Sequence, residues 1–336
     1  MTNTTFSVLD LVPVREGHDL SDALRNAGRY AATVERLGFK RYWVAEHHGM
    51  PGIGGAATSV VLAHVGQATS TIRIGAGGIM LPNHSPLQIA EQFGTLEALF
   101  PGRVDLGLGR APGSDGRVAQ AMRRHLDSDS EQFPRDVLEL QSFFDGDPKH
   151  GFQATPGAGA KVPIWILGSS TFGARLAAML GLPYAFASHF APAMMDQALA
   201  TYHRDFRPSR VLDRPHVMVG FGVCAADTAD DARFLATSMQ QSIVALRTGN
   251  PGKLQPPMRG FGDTLDAGAR AMLQSFQHYS AIGTQSDVEA GLAAFVERTR
   301  ADEVILSGAI YDPDARARSI EIVAAAARNV GVMGGA

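Results

Sequence analysis

Short apolar runs alternate with longer amphipathic segments along the whole chain. Runs rich in Val, Ile, Leu and Phe that are bounded by polar or glycine residues predict buried β-strands. Segments with apolar residues spaced three and four apart predict helices. The predicted strands are 6–11, 41–45, 72–79, 104–109, 164–167, 184–187, 217–225 and 303–307. The predicted helices are 20–37, 86–100, 116–126, 133–144, 171–180, 193–206, 228–247, 285–299 and 315–330.

This alternation is typical of a parallel sheet whose strands are joined by helices. Eight such strands, too apolar to face water on one side, predict a closed TIM (β/α)8 barrel that forms one domain over residues 1–336. A doubly wound sheet would place a glycine-rich phosphate-binding turn directly after the first strand. The turn here reads VPVREG and lacks that fingerprint, so the sequence favours the barrel.

Residues 247–270 (RTGNPGKLQPPMRGFGDTLDAGAR) interrupt the alternation. A connection of this length in a barrel is either a lid over the active site or a variable surface loop. Both interpretations stay open from the sequence, and a mobile lid is the one that bears on function.

Composition excludes several classes of protein. A formal net charge of −3 offers no basic surface for nucleic acid. No apolar run approaches the ~20 residues of a membrane span, and the first residues lack the basic region of a signal peptide. The one cysteine, Cys224, excludes an internal disulfide and suits a reducing compartment. We therefore expect a cytoplasmic protein that acts on small molecules, without nucleic-acid or membrane partners.

The second predicted strand ends in Glu46-His47-His48. Active sites of TIM barrels lie at the C-terminal ends of the strands, so this carboxylate and these imidazoles are candidate acids and bases. Neighbouring residues on an extended chain point to opposite sides, so Glu46 and His48 are expected to share a side while His47 faces away. A polar network that only closes the barrel top is the alternative. The sequence places no third ligand for zinc, so we expect no metal.

Two more strand ends carry candidate binding residues. Glycines at the end of the third strand, Gly77 and Gly78, allow the backbone to approach a flat ring, or mark a tight corner of the barrel. Arg110 follows Gly109 at the end of the fourth strand, where it could hold a phosphate or pair with a carboxylate at the rim.

The fifth strand is followed by Ser169 and Ser170 at the start of a helix. Such hydroxyl residues cap the helix and leave its first amide groups available to an anion. Together with Arg110 they predict a phosphate-binding site.

The chain resembles the bacterial luciferase-like flavin monooxygenases over essentially its whole length. The resemblance rests on RYWVAEHH, on IGAGGIMLPNHSPLQIAEQFGTLEALFPGRVDLGLGRAPGSD and on WILGSSTFGARLAAMLGLPYAFASHF. Within the family the chain is particularly similar to the YhbW-type luciferase-like proteins. The resemblance implies a barrel that binds FMN, receives it reduced from a separate flavin reductase, and uses O2 to oxidise an organic substrate such as an aldehyde. It also implies a homodimer.

The resemblance assigns roles to particular residues. Glu46 matches the glutamate near the flavin, and His47 matches the histidine on which the luciferase reaction depends, which makes it the best candidate for acid–base assistance. Gly77 and Gly78 match two alanines joined by a cis peptide bond against the flavin ring. Arg110 matches the arginine on the FMN phosphate.

Ser170 matches a phosphate-binding serine, and the remaining site positions depart from the family or have no counterpart. Gly109 stands where the family has a reactive cysteine, and Ser169 and Gly173 replace a glutamate and a threonine of the phosphate region. No light emission is expected. Further candidates at strand ends are His48, His84, Ser188 and His189, whereas Met80 and Phe190 are expected in the pocket wall or the core.

Two other functions stay open. Some relatives use a deazaflavin and transfer hydride, which requires a longer and more basic groove than FMN; Arg117, Arg123 and Arg124 are the basic residues that follow Arg110. Other relatives bind flavin without catalysis, and the intact Glu46-His47-His48 run argues against that function.

Overall fold

The computed structural model describes residues 3–111, 118, 121–122 and 132–333. Its strands are β1 Thr5–Asp10, β2 Arg41–Val44, β3 Arg73–Met80, β4 Val104–Gly109, β5 Ile164–Gly168, β6 Tyr184–Phe186, β7 Val217–Ala225, β8 Ser280–Gly283 and β9 Glu303–Ser307. Its α-helices are α1 Leu20–Arg36, α2 Thr58–Gln67, α3 Pro86–Leu99, α4 Phe133–Asp145, α5 Thr171–Leu180, α6 Met195–Asp205, α7 Ala229–Arg247, α8 Ala267–Phe276, α9 Gln285–Thr299 and α10 Pro313–Val330. The predicted helix 116–126 lies outside the described residues except at three positions.

The sheet closes into the predicted barrel. Its strand order is β6-β5-β4-β3-β2-β1-β9-β7, every pair is parallel, and β6 also pairs with β7. These strands with their outer helices form the TIM barrel. One further strand, β8, was not predicted. Strand β8 pairs with residues 222–225 of β7. It lies on the same side of β7 as β6, which pairs with residues 217–219.

Alternating side chains separate the barrel interior from the layer between strands and helices. Val8 packs in the large cluster that fills that layer, whereas its neighbour Leu9 belongs to a small interior cluster with Trp43, Trp165 and Met218. The two indole rings meet edge to face, with their centroids 5.4 Å apart. Every residue of β2 and β4 is buried, as expected for strands covered on both sides.

Buried ion pairs fill the N-terminal end of the barrel. Arg41 on β2 donates through Nε to Glu303 Oε1 at 2.7 Å and through Nη1 to Asp105 Oδ2 at 2.6 Å. Burial raises the pKa of the Glu303 carboxyl, but Arg41 and Lys40 outweigh burial and hold the pKa below its ordinary value. This layer and the indole layer above it fill the lower part of the barrel interior with packed side chains.

Two helices were missed because local patterns concealed them. Helix α2 contains Thr58, Val60, Val61 and Val65, and β-branched residues lower helix propensity. Helix α8 begins inside the stretch that was taken for a loop. Its start is fixed by Asp266, whose carboxylate accepts the Ala269 N–H at 2.7 Å.

The first part of residues 247–270 crosses the mouth of the barrel. Leu254 is 2% exposed and is held to the loop after β1, because its N–H donates to Val14 O and its carbonyl accepts the Glu16 N–H, both at 2.9 Å. Pro251, Gly252 and Leu254 line the cleft described below. The first part of the segment therefore forms part of the cleft wall. Among the described helices, none is both long enough and apolar enough to cross a membrane.

Candidate active site

A cleft of about 460 Å³ opens at the C-terminal ends of the strands. Its wall includes residues from the ends of β1, β3, β4, β5, β6 and β9, and from one side of α7. Among the described residues that line it, Asp10 and Arg110 carry a formal charge. Of the predicted site residues, His47, Gly77, Gly109, Arg110, Ser169 and Ser170 line the cleft, whereas Glu46 and Gly78 lie behind its wall.

Glu46 is fully buried just after β2 and accepts three hydrogen bonds. Oε1 accepts from His48 Nε2 at 2.7 Å and from His84 Nε2 at 2.8 Å, and Oε2 accepts the Met80 N–H at 3.0 Å. Burial raises the pKa of the Glu46 carboxyl, but the bonds from His84, His48 and Met80 outweigh burial and hold the pKa below its ordinary value. Because an ionised carboxylate only accepts, both imidazoles must donate through Nε2.

His47 lies on the opposite side of the chain and lines the cleft. The expected alternation is therefore present, with Glu46 and His48 on one side and His47 on the other. The buried anion of Glu46 fixes His48 and His84 immediately behind the segment that carries His47. This arrangement puts an imidazole at the cleft surface and a charged hydrogen-bond network behind it.

The sequence placed no third metal ligand beside Glu46 and His48, but the structure brings one to them. His84 brings a third ligand atom, and the three atoms lie within 4.8 Å of one another. The two imidazole–carboxylate distances are those of ordinary hydrogen bonds, and both carboxylate oxygens are already occupied. In this structure the three side chains form a hydrogen-bonded network around the Glu46 carboxylate.

The glycines of β3 have different roles. The Gly77–Gly78 peptide bond is cis, as the resemblance implied. Gly77 lines the cleft, yet a Cβ there would lie 2.8 Å from the Trp43 ring. A Cβ on Gly78 would lie 2.7 Å from the carbonyl oxygen of Gly107 on β4. The lack of a side chain therefore permits close packing of the backbone against the interior as well as a smooth cleft wall.

Another part of the cleft wall brings together the residues predicted to bind an anion. Arg110 extends from the end of β4 with its guanidinium 4.1 Å from the centre of the Phe172 ring. Ser169 and Ser170 lie between β5 and α5, and both line the cleft with Arg110. Ser170 is the N-cap residue of α5, but its hydroxyl makes no capping bond, contrary to the expectation. The first amide groups of α5 are therefore not satisfied by that side chain.

Residues 4–303 match the family model of the luciferase-like monooxygenases. The chain belongs to this family. A luciferase-like monooxygenase of Escherichia coli (strain K12) is 49% identical over 96% of this chain and 97% of its own length. The protein YvbT of Bacillus subtilis (strain 168) is 46% identical over 96% of both chains.

Several solved structures share the fold. The crystal structure of apo-MsnO8 superposes with a TM-score of 0.86 at 29% identity, covering 98% of this chain and 99% of that one. The oxygenating constituent of 3,6-diketocamphane monooxygenase from Pseudomonas putida, a complex with FMN, has a TM-score of 0.74 at 16% identity over the full length of both chains. An F420-dependent secondary alcohol dehydrogenase has a TM-score of 0.65 at 15% identity, covering 97% of this chain and 99% of that one.

The remaining candidate residues of this luciferase-like chain either line the cleft or hold other residues in place. His189, Phe190 and Met80 line the cleft. Ser188 is fully buried and donates through Oγ to the Gly220 carbonyl at 2.6 Å, so it holds the loop after β6 against β7. His84 does not line the cleft and serves through Glu46.

Two parts of the luciferase-like cleft were not predicted from the sequence. Asp10 ends β1 at the cleft and is neutralised by Arg316, whose Nη2 lies 2.7 Å from Asp10 Oδ1. The other part is the side of α7 that carries Met239, Ile243 and Leu246, which line the cleft with Phe276 of α8. Their three- and four-residue spacing along α7 was a usable signal for a buried helix side, but it does not distinguish a core from a cleft.

Proposed function

We propose that this protein is a non-luminescent, FMN-dependent monooxygenase that uses reduced FMN and O2 to oxidise a small uncharged organic substrate, such as an aldehyde. One observation carries the proposal. A single cleft has an anion-binding end at Arg110, Ser169 and Ser170, and at a separate place the imidazole of His47 in front of the buried Glu46 network.

The cleft fits a flavin mononucleotide in size and in polarity. Its volume lies within the ~300–1,000 Å³ of small-molecule sites. Arg110, the hydroxyls of Ser169 and Ser170 and the first amides of α5 would hold the phosphate. Gly77 and Gly109 would leave the adjoining wall flat enough for the ring, since neither carries a side chain. The FMN-bound diketocamphane monooxygenase, which shares this fold, makes FMN the first candidate.

The residues of the chain have distinct roles in this proposal. Bound reduced flavin would supply two electrons to O2, so that one oxygen atom enters the substrate and the other leaves as water. His47 would hold or move a proton at the cleft surface. Glu46 would fix the positions of His48 and His84 behind it, and Leu254 with its neighbours would exclude water.

A deazaflavin-dependent hydride transfer is the second candidate, because an F420-dependent enzyme shares the fold. The charge of the cleft favours FMN. Among the described residues that line it, Arg110 is the basic one. The longer anionic tail of a deazaflavin cofactor would need more basic residues. Arg117, Arg123 and Arg124 lie outside the described residues. We also propose that a separate flavin reductase delivers reduced FMN and that the protein acts as a homodimer.

Rapid mixing tests the proposed function directly. The protein is loaded with photoreduced FMN and mixed with O2 and a panel of uncharged aldehydes, and oxidised product is measured in a single turnover. We expect one product per flavin for at least one aldehyde and no reaction with reduced F420. Oxygen uptake that yields hydrogen peroxide alone for every aldehyde would contradict a monooxygenase.

A further inference from the structure

A second, smaller cavity of about 40 Å³ adjoins the cleft. It lies between the second half of β7, β8 and the facing sides of α7 and α8, and we call it the side cavity. The residues that line both spaces are His189, Met239, Ile243, Phe276, Ser307 and Ala309. The two spaces therefore share one wall, and His189 stands at their junction.

The side cavity suits an uncharged, apolar group. None of the described residues that line it is Asp, Glu, Lys or Arg, and much of its wall comes from Val223, Ile282, Met239 and Phe276. A water-sized group needs ~10–15 Å³ of such space. The side cavity thus has room for about three such groups, which is the end of a short alkyl chain.

The imidazole of His189 is held in place by the backbone around it. Gly220 on β7 provides the space, because a Cβ there would lie 1.9 Å from His189 Nδ1. The adjacent Ser188 donates to the Gly220 carbonyl at 2.6 Å and fixes the loop that carries His189. A glycine is thus required where the imidazole packs, and the ring lines the cleft from a defined position.

His189 has unused hydrogen-bonding capacity. Its Nδ1 is buried without a hydrogen-bond partner among the described residues. Burial lowers the pKa of His189 to about 4, so the ring is neutral near pH 7. Because Nδ1 packs against Gly220, a ligand in the cleft meets Nε2, and a carbonyl oxygen there would accept a hydrogen bond from the Nε2–H of the neutral ring.

We propose that His189 orients the substrate, which is a small uncharged carbonyl compound whose oxygen accepts a hydrogen bond from the imidazole and whose alkyl end occupies the side cavity. This inference rests on the proposed monooxygenase function and adds the class of substrate. A charged substrate is disfavoured because Asp10 is already paired with Arg316, and Arg110 lies at the anion-binding end. His189 is a positioning and specificity residue, and His47 remains the candidate for proton transfer.

Nitrogen NMR of the FMN-loaded protein labelled with ¹⁵N-histidine tests binding without turnover. Pentan-2-one is the uncharged probe and pentanoate is its charged counterpart of the same length. We expect pentan-2-one to shift the ring resonances that disappear in His189→Phe, and pentanoate to leave them unchanged. Equal shifts with both compounds, or none with pentan-2-one at saturation, would overturn the proposal.

Kinetics with unbranched aldehydes from ethanal to octanal test the same assignment. His189→Phe should raise the KM about tenfold, the equivalent of one lost hydrogen bond, and leave FMN affinity unchanged. His189→Asn should recover part of the loss. Gly220→Ala displaces the imidazole without altering it and should reproduce the higher KM. His203→Phe, an exposed histidine on α6, is the matched control and should match the wild type.

The size of the side cavity provides an independent readout. Ala309→Leu should shift the preference towards shorter aldehydes, and Met239→Ala towards longer ones. Unchanged chain-length profiles in both variants, with a KM unaffected by His189→Phe, would overturn the inference while the monooxygenase function stands. A shift of the His189 resonances without oxidation of any aldehyde would instead contradict the proposed function and leave the binding role in place.

Discussion

The carboxylate of Glu46 and the imidazole of His84 lie 2.8 Å apart, although 38 positions separate them in the chain. The contact joins the ends of β2 and β3, and it holds both residues just behind the cleft wall. A buried carboxylate that remains ionised beside two imidazoles makes this region sensitive to substitution and to pH.

Glu46→Gln should destabilise the protein and impair turnover. The amide keeps the shape but lacks the charge, so the bonds from His48 and His84 weaken, at a cost of about 1–3 kcal/mol. Urea unfolding at pH 7 measures this cost, with Glu297→Gln on the exposed side of α9 as control. Equal unfolding midpoints for both variants would contradict the network.

The stability lost in Glu46→Gln should depend on pH. The pKa of Glu46 is lowered on folding, so its ionised form contributes stability above the ordinary pKa of 4.5, and this contribution is lost as the pH falls through the folded value. The difference in stability between wild type and Glu46→Gln should therefore shrink below pH 4.5. Urea titrations from pH 7 down to pH 3.5 provide the check; a constant difference would argue that Glu46 is not ionised in the folded protein.

Arg110→Ala should weaken FMN binding strongly. Loss of a charge-assisted contact to phosphate costs about 1.5–3 kcal/mol, or roughly 10- to 150-fold in the dissociation constant. Quenching of flavin fluorescence measures this constant, and Arg204→Ala, exposed on α6, is the control. Riboflavin, which has no phosphate, should bind the wild type and Arg110→Ala with the same affinity. An unchanged dissociation constant for FMN in Arg110→Ala would rule out the phosphate assignment.

Arg41→Met should unfold the protein far more readily than Lys40→Met. Removing Arg41 takes the closest cation from the buried Glu303 and one of two arginines from the buried Asp105, which costs about 3–5 kcal/mol. Lys40 lies 3.4 Å from Glu303 and is one-third exposed, so its loss should cost below about 1 kcal/mol. Thermal and urea unfolding distinguish the two variants. Similar losses of stability in both would show that the buried ion pairs of Arg41 do not stabilise the N-terminal end of the barrel.

Leu254→Ala should loosen the cover of the cleft. Leu254 is 2% exposed and contacts the site, so its truncation admits water and should raise the fraction of oxygen released as hydrogen peroxide. Peroxide assays during turnover measure this fraction. Met258→Ala, 44% exposed in the same segment, is the control. Peroxide yields equal to the wild type in Leu254→Ala would contradict a covering role.

The periodicity of the chain was enough to predict the barrel because each strand is a local apolar run with a helix after it. Strand direction then placed Glu46, His47 and Arg110 at the same end of the barrel, because the C-terminal ends of parallel strands meet there. The partners of these residues could not be predicted in the same way. His84 reaches Glu46, and Arg316 reaches Asp10, only after distant segments have packed together. Strand β8 and helix α8 were missed because the first is four residues long and the second begins inside a glycine- and proline-rich stretch.

The close fit of His189 against Gly220 links two positions that are far apart in the sequence. A relative that acquires any side chain at the position of Gly220 must shrink or redirect the residue at the position of His189. The two positions should therefore vary together among relatives, and the pair would mark groups of enzymes that accept different substrates on one unchanged barrel.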